Sequence, residues 1–292
     1  MSHSTNQRSI LAMLIAVASF SVMDAIMKAL GGTYPPLQVS ALRGLTALPL
    51  VVCYVLYRGA QRSILQVQWP WHLVRGVLVV VMLWSFTFGI QNLALTEAYT
   101  IYFVSPLLIT ILSIPLLGER VKPSHWLSIV VGLVGVVIAL RPTQGAFLSL
   151  GALAVLCSAM CYAVSAIGGR ILSRTDSSES LVFWATALLC AGAGTLAWPG
   201  WIPVRAQDAL LLAGLAVTGF IGQVALTTAF RQGQASAVAP FEYTALAWSV
   251  GLDWAIWHTV PDRYTLLGGA VIIASGLYMI RQEDRPLPAL PP

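Results

Sequence analysis

The chain has 292 residues, of which 58% are hydrophobic and only 9% charged, and its mean hydropathy is +0.80. Soluble domains carry about a quarter of charged residues, so this balance excludes a water-soluble globular domain and places most of the chain in lipid. The formal net charge of +5 does not point to nucleic acid, because Lys and Arg stand singly between apolar runs instead of clustering on one basic face.

In chain order, a polar lead (1–9) with Arg8 precedes the first apolar run. That run is too long for a signal-peptide core and lacks a small-x-small cleavage site, so it is expected to be a retained span. A bilayer core of about 30 Å needs about 20 helical residues. Runs of that scale lie near 10–30, 37–57, 72–93, 96–117, 125–140, 149–171, 179–199, 208–230, 236–258 and 264–280, the fifth being short. Gly31-Gly32, Pro35-Pro36, Gly118, Pro123, Arg141-Pro142, Pro199-Gly200, Gly233 and Pro261 punctuate them. A spanning β-barrel would alternate apolar and polar residues over about ten positions, and these runs do not alternate. The expectation is an all-α polytopic membrane protein with ten transmembrane helices and a tail at 281–292.

Charge sets the expected orientation. With both termini cytoplasmic, Arg8, Arg58, Arg62, Arg75, Arg120, Lys122, Arg170, Arg174, Arg231, Arg281 and Arg285 fall inside, while Arg141, Arg205 and Arg263 fall outside. Eleven against three obeys the positive-inside rule, and an odd number of spans would destroy the bias. Trp69, Trp71, Trp126, Trp198, Trp201 and Trp257 fall at segment ends, where indoles prefer to sit. The four cysteines lie inside apolar runs, and the four histidines are isolated. No metal site, cofactor or catalytic set is readable from them.

The two halves carry weak internal similarity. Phe20 to Lys28 can be laid on Tyr162 to Arg170, and Ala98 to Pro106 on Ala235 to Tyr243. Repeats at 10–140 and 149–280 would hold five spans each, and an odd number forces the second copy to insert upside down. Inverted repeats place a substrate site at their interface near the midplane. The ten-span layout, the Lys28…Pro35-Pro36…Arg43 spacing and the run Pro115-Leu-Leu-Gly118-Glu119-Arg120 after the fourth span together resemble the drug/metabolite transporter superfamily with paired EamA-type repeats. The resemblance covers residues 10–280. It implies a secondary transporter working by alternating access, often an exporter of small metabolites such as amino acids, in the manner of the aromatic-amino-acid exporters. One departure is that His258-Thr259 stands where the family often shows a second Gly-Glu, which puts a paired-Glu role in doubt.

Ionisable groups inside spans are the candidates for transport. A charge at mid-membrane costs about 2.5–3.5 kcal/mol on insertion scales, so it is kept where it pairs or faces a cavity. Asp24 and Lys28 are four apart on one helix face, and Arg43 lies at about the same depth on the next span. This cluster reads either as a gate or carboxylate anchor, or as an ion network locking the first two helices. In the ninth span Glu242, Ser249 and Asp253 are expected on one helical stripe, with Glu242 as a proton-coupling carboxylate. Trp84, Phe88 and Gln91 on the third span, Tyr99 and Tyr102 on the fourth, Tyr162 on the sixth and Gln223 on the eighth would complete a largely apolar cavity with a few polar groups. Pro106 is expected inside the fourth span, depriving the Tyr102 carbonyl of its donor.

The leading reading is therefore an exporter of amino acids, aromatic ones included, in the inner membrane. Its expected partners are a small-molecule substrate and the lipid bilayer, with a monomer expected and an oligomer left open. No phosphate-binding Gly-x-x-x-x-Gly-Lys-[Ser/Thr] loop is present, so an ATP-driven pump within this chain is not indicated. A polytopic membrane enzyme would need a convergent catalytic motif, which does not appear. A channel without carrier activity is the other alternative.

Overall fold

The computed structural model describes residues 3–92, 101–119, 121, 123–140 and 149–258, with shorter stretches between 263 and 278. Among the described residues every regular element is helical: α1 (His3–Gly31), α2 (Pro36–Tyr57), short α3 (Gln61–Leu65), α4 (Trp69–Asn92), α5 (Ser105–Leu117), α6 (Pro123–Leu140), α7 (Leu150–Leu172), α8 (Ser178–Ala197), α9 (Ala209–Gln232), one-turn α10 (Ala235–Val238) and α11 (Ala245–Trp257). A 3₁₀ stretch, Ala239–Thr244, joins α10 to α11.

Among the described residues six segments are long and apolar enough to cross a membrane: Gln7–Gly31, Pro36–Tyr57, Trp69–Gly89, Leu150–Leu172, Ser178–Gly200 and Ala206–Gln232. They coincide with the first three and the sixth to eighth expected spans. The fourth, fifth and ninth are represented by shorter helices, and most of 264–280 lies outside the described residues. Local chemistry sets the helix ends. Pro36 opens α2, where its missing N–H has no partner to lose. The side chains of Ser149 and Ser177 accept from the backbone N–H groups of Ala152 and Ser180, each at 3.1 Å, capping α7 and α8. Gly118 ends α5 at φ 67°, a conformation that costs glycine little. Some hydroxyls within the helices donate to the preceding turn, as Thr46 does to Leu42 and Thr186 to Val182, and these need no water.

The packing order exchanges the halves. Helix α1 lies along α9, α4 along α7, and α2 along α8; exchanging α1 with α7, α2 with α8 and α4 with α9 maps this set onto itself. Close approach depends on glycine. A Cβ on Gly44 would stand 2.8 Å from the Cys190 Cα, so α2 and α8 meet almost backbone to backbone. Outside, large apolar side chains such as Leu45 (43% exposed), Val77 (64%) and Leu153 (54%) face the surroundings, which suits a lipid-facing shell.

Polar contacts between halves collect at the two ends of the bundle. At one end Tyr34 Oη donates to Asp208 at 2.6 Å, and the buried Gln38 exchanges two hydrogen bonds with the Ile202 backbone at 2.5 and 2.8 Å. At the other, His72 Nε2 lies 2.8 Å from Asp176, the Ser180 hydroxyl donates to the Ser63 carbonyl, and the Trp184 indole donates to the Ile64 carbonyl.

Two expectations about helix continuity need correction. The expected fourth span is interrupted: residues 103–104 form a turn, and Pro106 falls in the first turn of α5. It therefore starts a helix instead of kinking one. The expected ninth span is also broken, with Glu242 in the 3₁₀ stretch before α11. A stripe reckoned at 100° per residue does not run across such a change of pitch. The side chains of Ser249 and Asp253 lie outside the described residues.

Candidate functional site

A hollow of about 200 Å³ opens between the halves. A single water needs about 10–15 Å³ of such space, so this is room for a solute and not a packing defect. Its walls are mostly apolar and aromatic, with Phe20, Phe86, Phe103 and Phe230 among them, and among the described residues four acidic or basic side chains break that surface: Asp24, Arg43, Arg75 and Glu242. This combination of apolar wall and few polar groups is that of a small-molecule site.

Glu242 sits where the two interrupted helices meet. Its element packs against both α1 and α5, and Tyr162 Oη on α7 donates to its Oε1 at 2.8 Å. Ser105, the first residue of α5, adjoins the carboxyl, yet its buried hydroxyl makes no hydrogen bond of ordinary geometry. Ser105 and Glu242 are also equivalent in the alignment of Ala98–Pro106 with Ala235–Tyr243. Breaks in both helices bring unwound backbone and polar side chains to mid-membrane, which lipid forbids unless protein or a cavity covers them. The Tyr102 ring packs edge-to-face on Phe86 at 5.1 Å and tilted against Tyr162 at 5.9 Å, walling this region.

Arg43, on α2, is within Coulombic reach of Asp24 on α1 and lies over the Phe20 ring at 5.4 Å. These contacts let a guanidinium persist in a largely apolar wall. Gln223 on α9 completes this side of the cavity. Of the expected site residues, Asp24, Arg43, Tyr102, Tyr162, Gln223 and Glu242 are thus brought to one cavity. Lys28 is not among the lining residues and is exposed. One further turn along α1 carries it past the cavity. Trp84 is 51% exposed on the outer surface of α4, and Phe88 lies half-buried off the wall. Helical spacing identifies a shared face but not which neighbour it meets. Tyr99 and the side chain of Gln91 lie outside the described residues.

Arg75 was expected among the cytoplasmic positive charges, yet its side chain lines the cavity. Its Nη1 donates to the Leu181 carbonyl at 3.4 Å, and its Nε is buried without a partner. The Thr227 hydroxyl on the same wall is likewise buried and unpartnered. Outside the cavity Arg58 and Glu179 pair at 3.2 Å. The hydrogen bond from the guanidinium to that carboxylate holds the Arg58 pKa above its ordinary value. Among the described residues no group of His, Cys, Asp and Glu could hold a metal ion.

Comparison with known proteins places this architecture. The chain is 29% identical over 276 residues to a pseudopaline exporter of Pseudomonas aeruginosa, covering 94% of this chain and 96% of that protein. It is 28% identical to an S-adenosylmethionine uptake transporter of Rickettsia conorii (93% of this chain, 92% of the relative). It is 27% identical to a riboflavin transporter of Vibrio cholerae (94% and 93%). A solved structure superposes with a TM-score of 0.80 over 95% of this chain and 99% of its own, at 22% identity, and so shows a common fold. The EamA-like transporter family model matches twice, at residues 7–141 and 149–281. With one repeat in each half and a cavity between them, the chain is a polytopic membrane transporter that belongs to the EamA-like transporter family.

Proposed function

We propose that this protein is a secondary transporter that exports amino acids, aromatic ones included, by alternating access between two inverted five-helix repeats of ten spans in all. One observation carries the proposal: a single cavity presents cations, carboxylates and aromatic walls together. A zwitterion needs an acceptor for its ammonium and a donor for its carboxylate, and both must be desolvated and paired at mid-membrane. Glu242 with Tyr162 offers the first, and Arg43 held by Asp24 the second. The rings of Phe20, Phe86 and Tyr102 suit an apolar or aromatic side chain.

The exchange of helix pairs between halves supports the inverted arrangement, since an upright duplication would bring together loops from opposite faces. The charge bias along the sequence supports cytoplasmic termini in an inner membrane. Export as the direction draws on the pseudopaline exporter; the other relatives named above show that cargo differs across the family.

Counterflow in proteoliposomes tests the reading. Vesicles preloaded with unlabelled phenylalanine should accelerate uptake of labelled phenylalanine several-fold over empty vesicles. Absence of trans-stimulation across the amino acids would reject them as cargo. Ion-like conductance in its place would make the protein a channel.

A further inference from the structure

We propose that Arg75 is a second anion-binding position of the transport cavity, in the membrane half opposite to Arg43, and that it receives the carboxylate of the cargo. The inference deepens the transporter reading above and rests on it.

Depth separates the two cations. Arg43 lies seven residues into α2 and Arg75 six residues into α4, and these helices start from opposite faces of the bundle. At 1.5 Å per residue each is about 10 Å from its own end, so within a core of about 30 Å they stand roughly 10–15 Å apart. They also differ in what faces them. Arg43 has Asp24 in Coulombic reach. Among the described residues no carboxylate pairs with Arg75, whose one hydrogen bond goes to the Leu181 carbonyl from Nη1.

That bond leaves the Nε–Nη2 edge, and Nε is buried without a partner. A Cβ at Gly169 would stand 3.4 Å from both Cζ and Nη2 and 3.5 Å from Nε, so the bare Gly169 backbone lies against the face of the guanidinium and does not block its Nε–Nη2 edge. Two parallel N–H groups in one plane match the two oxygens of a carboxylate. The charge count favours the same class. Among the described lining residues two arginines are balanced by Asp24 and Glu242, with no lysine, so the cavity suits a net-neutral zwitterion carrying one carboxylate, whereas a phosphate dianion would call for more donors. A buried cationic donor left unpaired is costly; a cargo carboxylate removes that cost for one stage of the cycle. Binding at this position and then at Arg43 would carry the acidic group across the midplane in two steps.

The test offers wild-type, Arg75→Gln, Arg75→Lys and Gly169→Val proteoliposomes a mixture of amino acids, their amides, organic acids and neutral nucleosides, with internal contents read by mass spectrometry. Solutes taken up by the wild type should bear a carboxylate, and their amides should be left outside. Arg75→Gln should lower uptake of those solutes by about 10- to 100-fold, the range for one charge-assisted hydrogen-bonded contact. Arg75→Lys keeps the charge but not the fork, and should raise KM more than it lowers kcat. Gly169→Val presses on the guanidinium face and tilts the fork, and should act in the same direction. Arg205→Gln, in a solvated loop, is the control at wild-type rate. Monodisperse elution of each variant separates loss of binding from loss of fold, and if Arg75→Gln elutes as aggregate the lysine and valine variants decide. Uptake of amides at rates matching the acids, or unchanged KM in folded Arg75 variants, overturns the anion position and leaves the carrier intact. Uptake of nothing above empty liposomes overturns the carrier reading, and this proposal with it.

Discussion

Gly44→Ala is the sharpest probe of the central packing. The added methyl carbon would lie 2.8 Å from the Cys190 Cα, 2.9 Å from its N and 3.0 Å from its Cβ. Carbon atoms rest at about 3.5–4.0 Å, so α2 and α8 must part by nearly 1 Å. Two of the three blocking atoms are backbone, and no rotamer change relieves them. Overpacking of this kind costs about 1–3 kcal/mol, and at about 2–4 °C per kcal/mol the unfolding midpoint falls by about 2–12 °C. Arg43 neighbours Gly44 on α2, so transport should fall as well. The assay is thermal unfolding in detergent with three comparisons. Gly194→Ala, on α8 but with nothing within 4 Å of the new carbon, should melt near the wild type. Gly192→Ala meets the Val80 Cγ2 at 2.7 Å but the Val80 Cβ only at 3.8 Å, so Val80→Ala should restore it. Cys190→Ala should not restore Gly44→Ala. Equal melting of Gly44→Ala and Gly194→Ala would show that α2 and α8 do not approach as described.

Tyr162→Phe removes the 2.8 Å donor to Glu242; a hydrogen bond to a charged group is worth about 1.5–3 kcal/mol, so transport should drop at least ten-fold, and a wild-type rate would put Glu242 outside the mechanism. Arg43→Ala should abolish uptake in the same vesicles while Lys28→Ala, exposed and off the cavity wall, should retain most of it; the reverse order would refute the placement of the cavity. His72→Ala removes the buried ring's hydrogen bond to Asp176, which keeps those from the Gln68 N–H and the Thr175 hydroxyl, and should destabilise by about 1.5–3 kcal/mol. Arg58→Ala, whose side chain is 58% exposed, should change the midpoint far less. Comparable melting of those two variants would argue against a buried pair at that end.

Composition and apolar run length were enough to establish a helical membrane protein, because lipid leaves the backbone almost no alternative to helices. The cost of charge in lipid made Asp24, Arg43 and Glu242 stand out for the same reason, and internal similarity exposed the two halves. Three features belonged to tertiary structure alone. Arg75 near a segment end reads locally as a snorkelling cytoplasmic charge, and only the packing of α4 against α7, with Gly169 beneath the guanidinium, turns it inward. Trp84 and Phe88 have the spacing of a cavity face, yet period specifies a face and leaves its neighbour undecided. The breaks before Ser105 and around Glu242 lie where the interrupted helices pack against elements of the opposite half, α5 on α7 and the 3₁₀ stretch on α1 and α5, where no local pattern reaches.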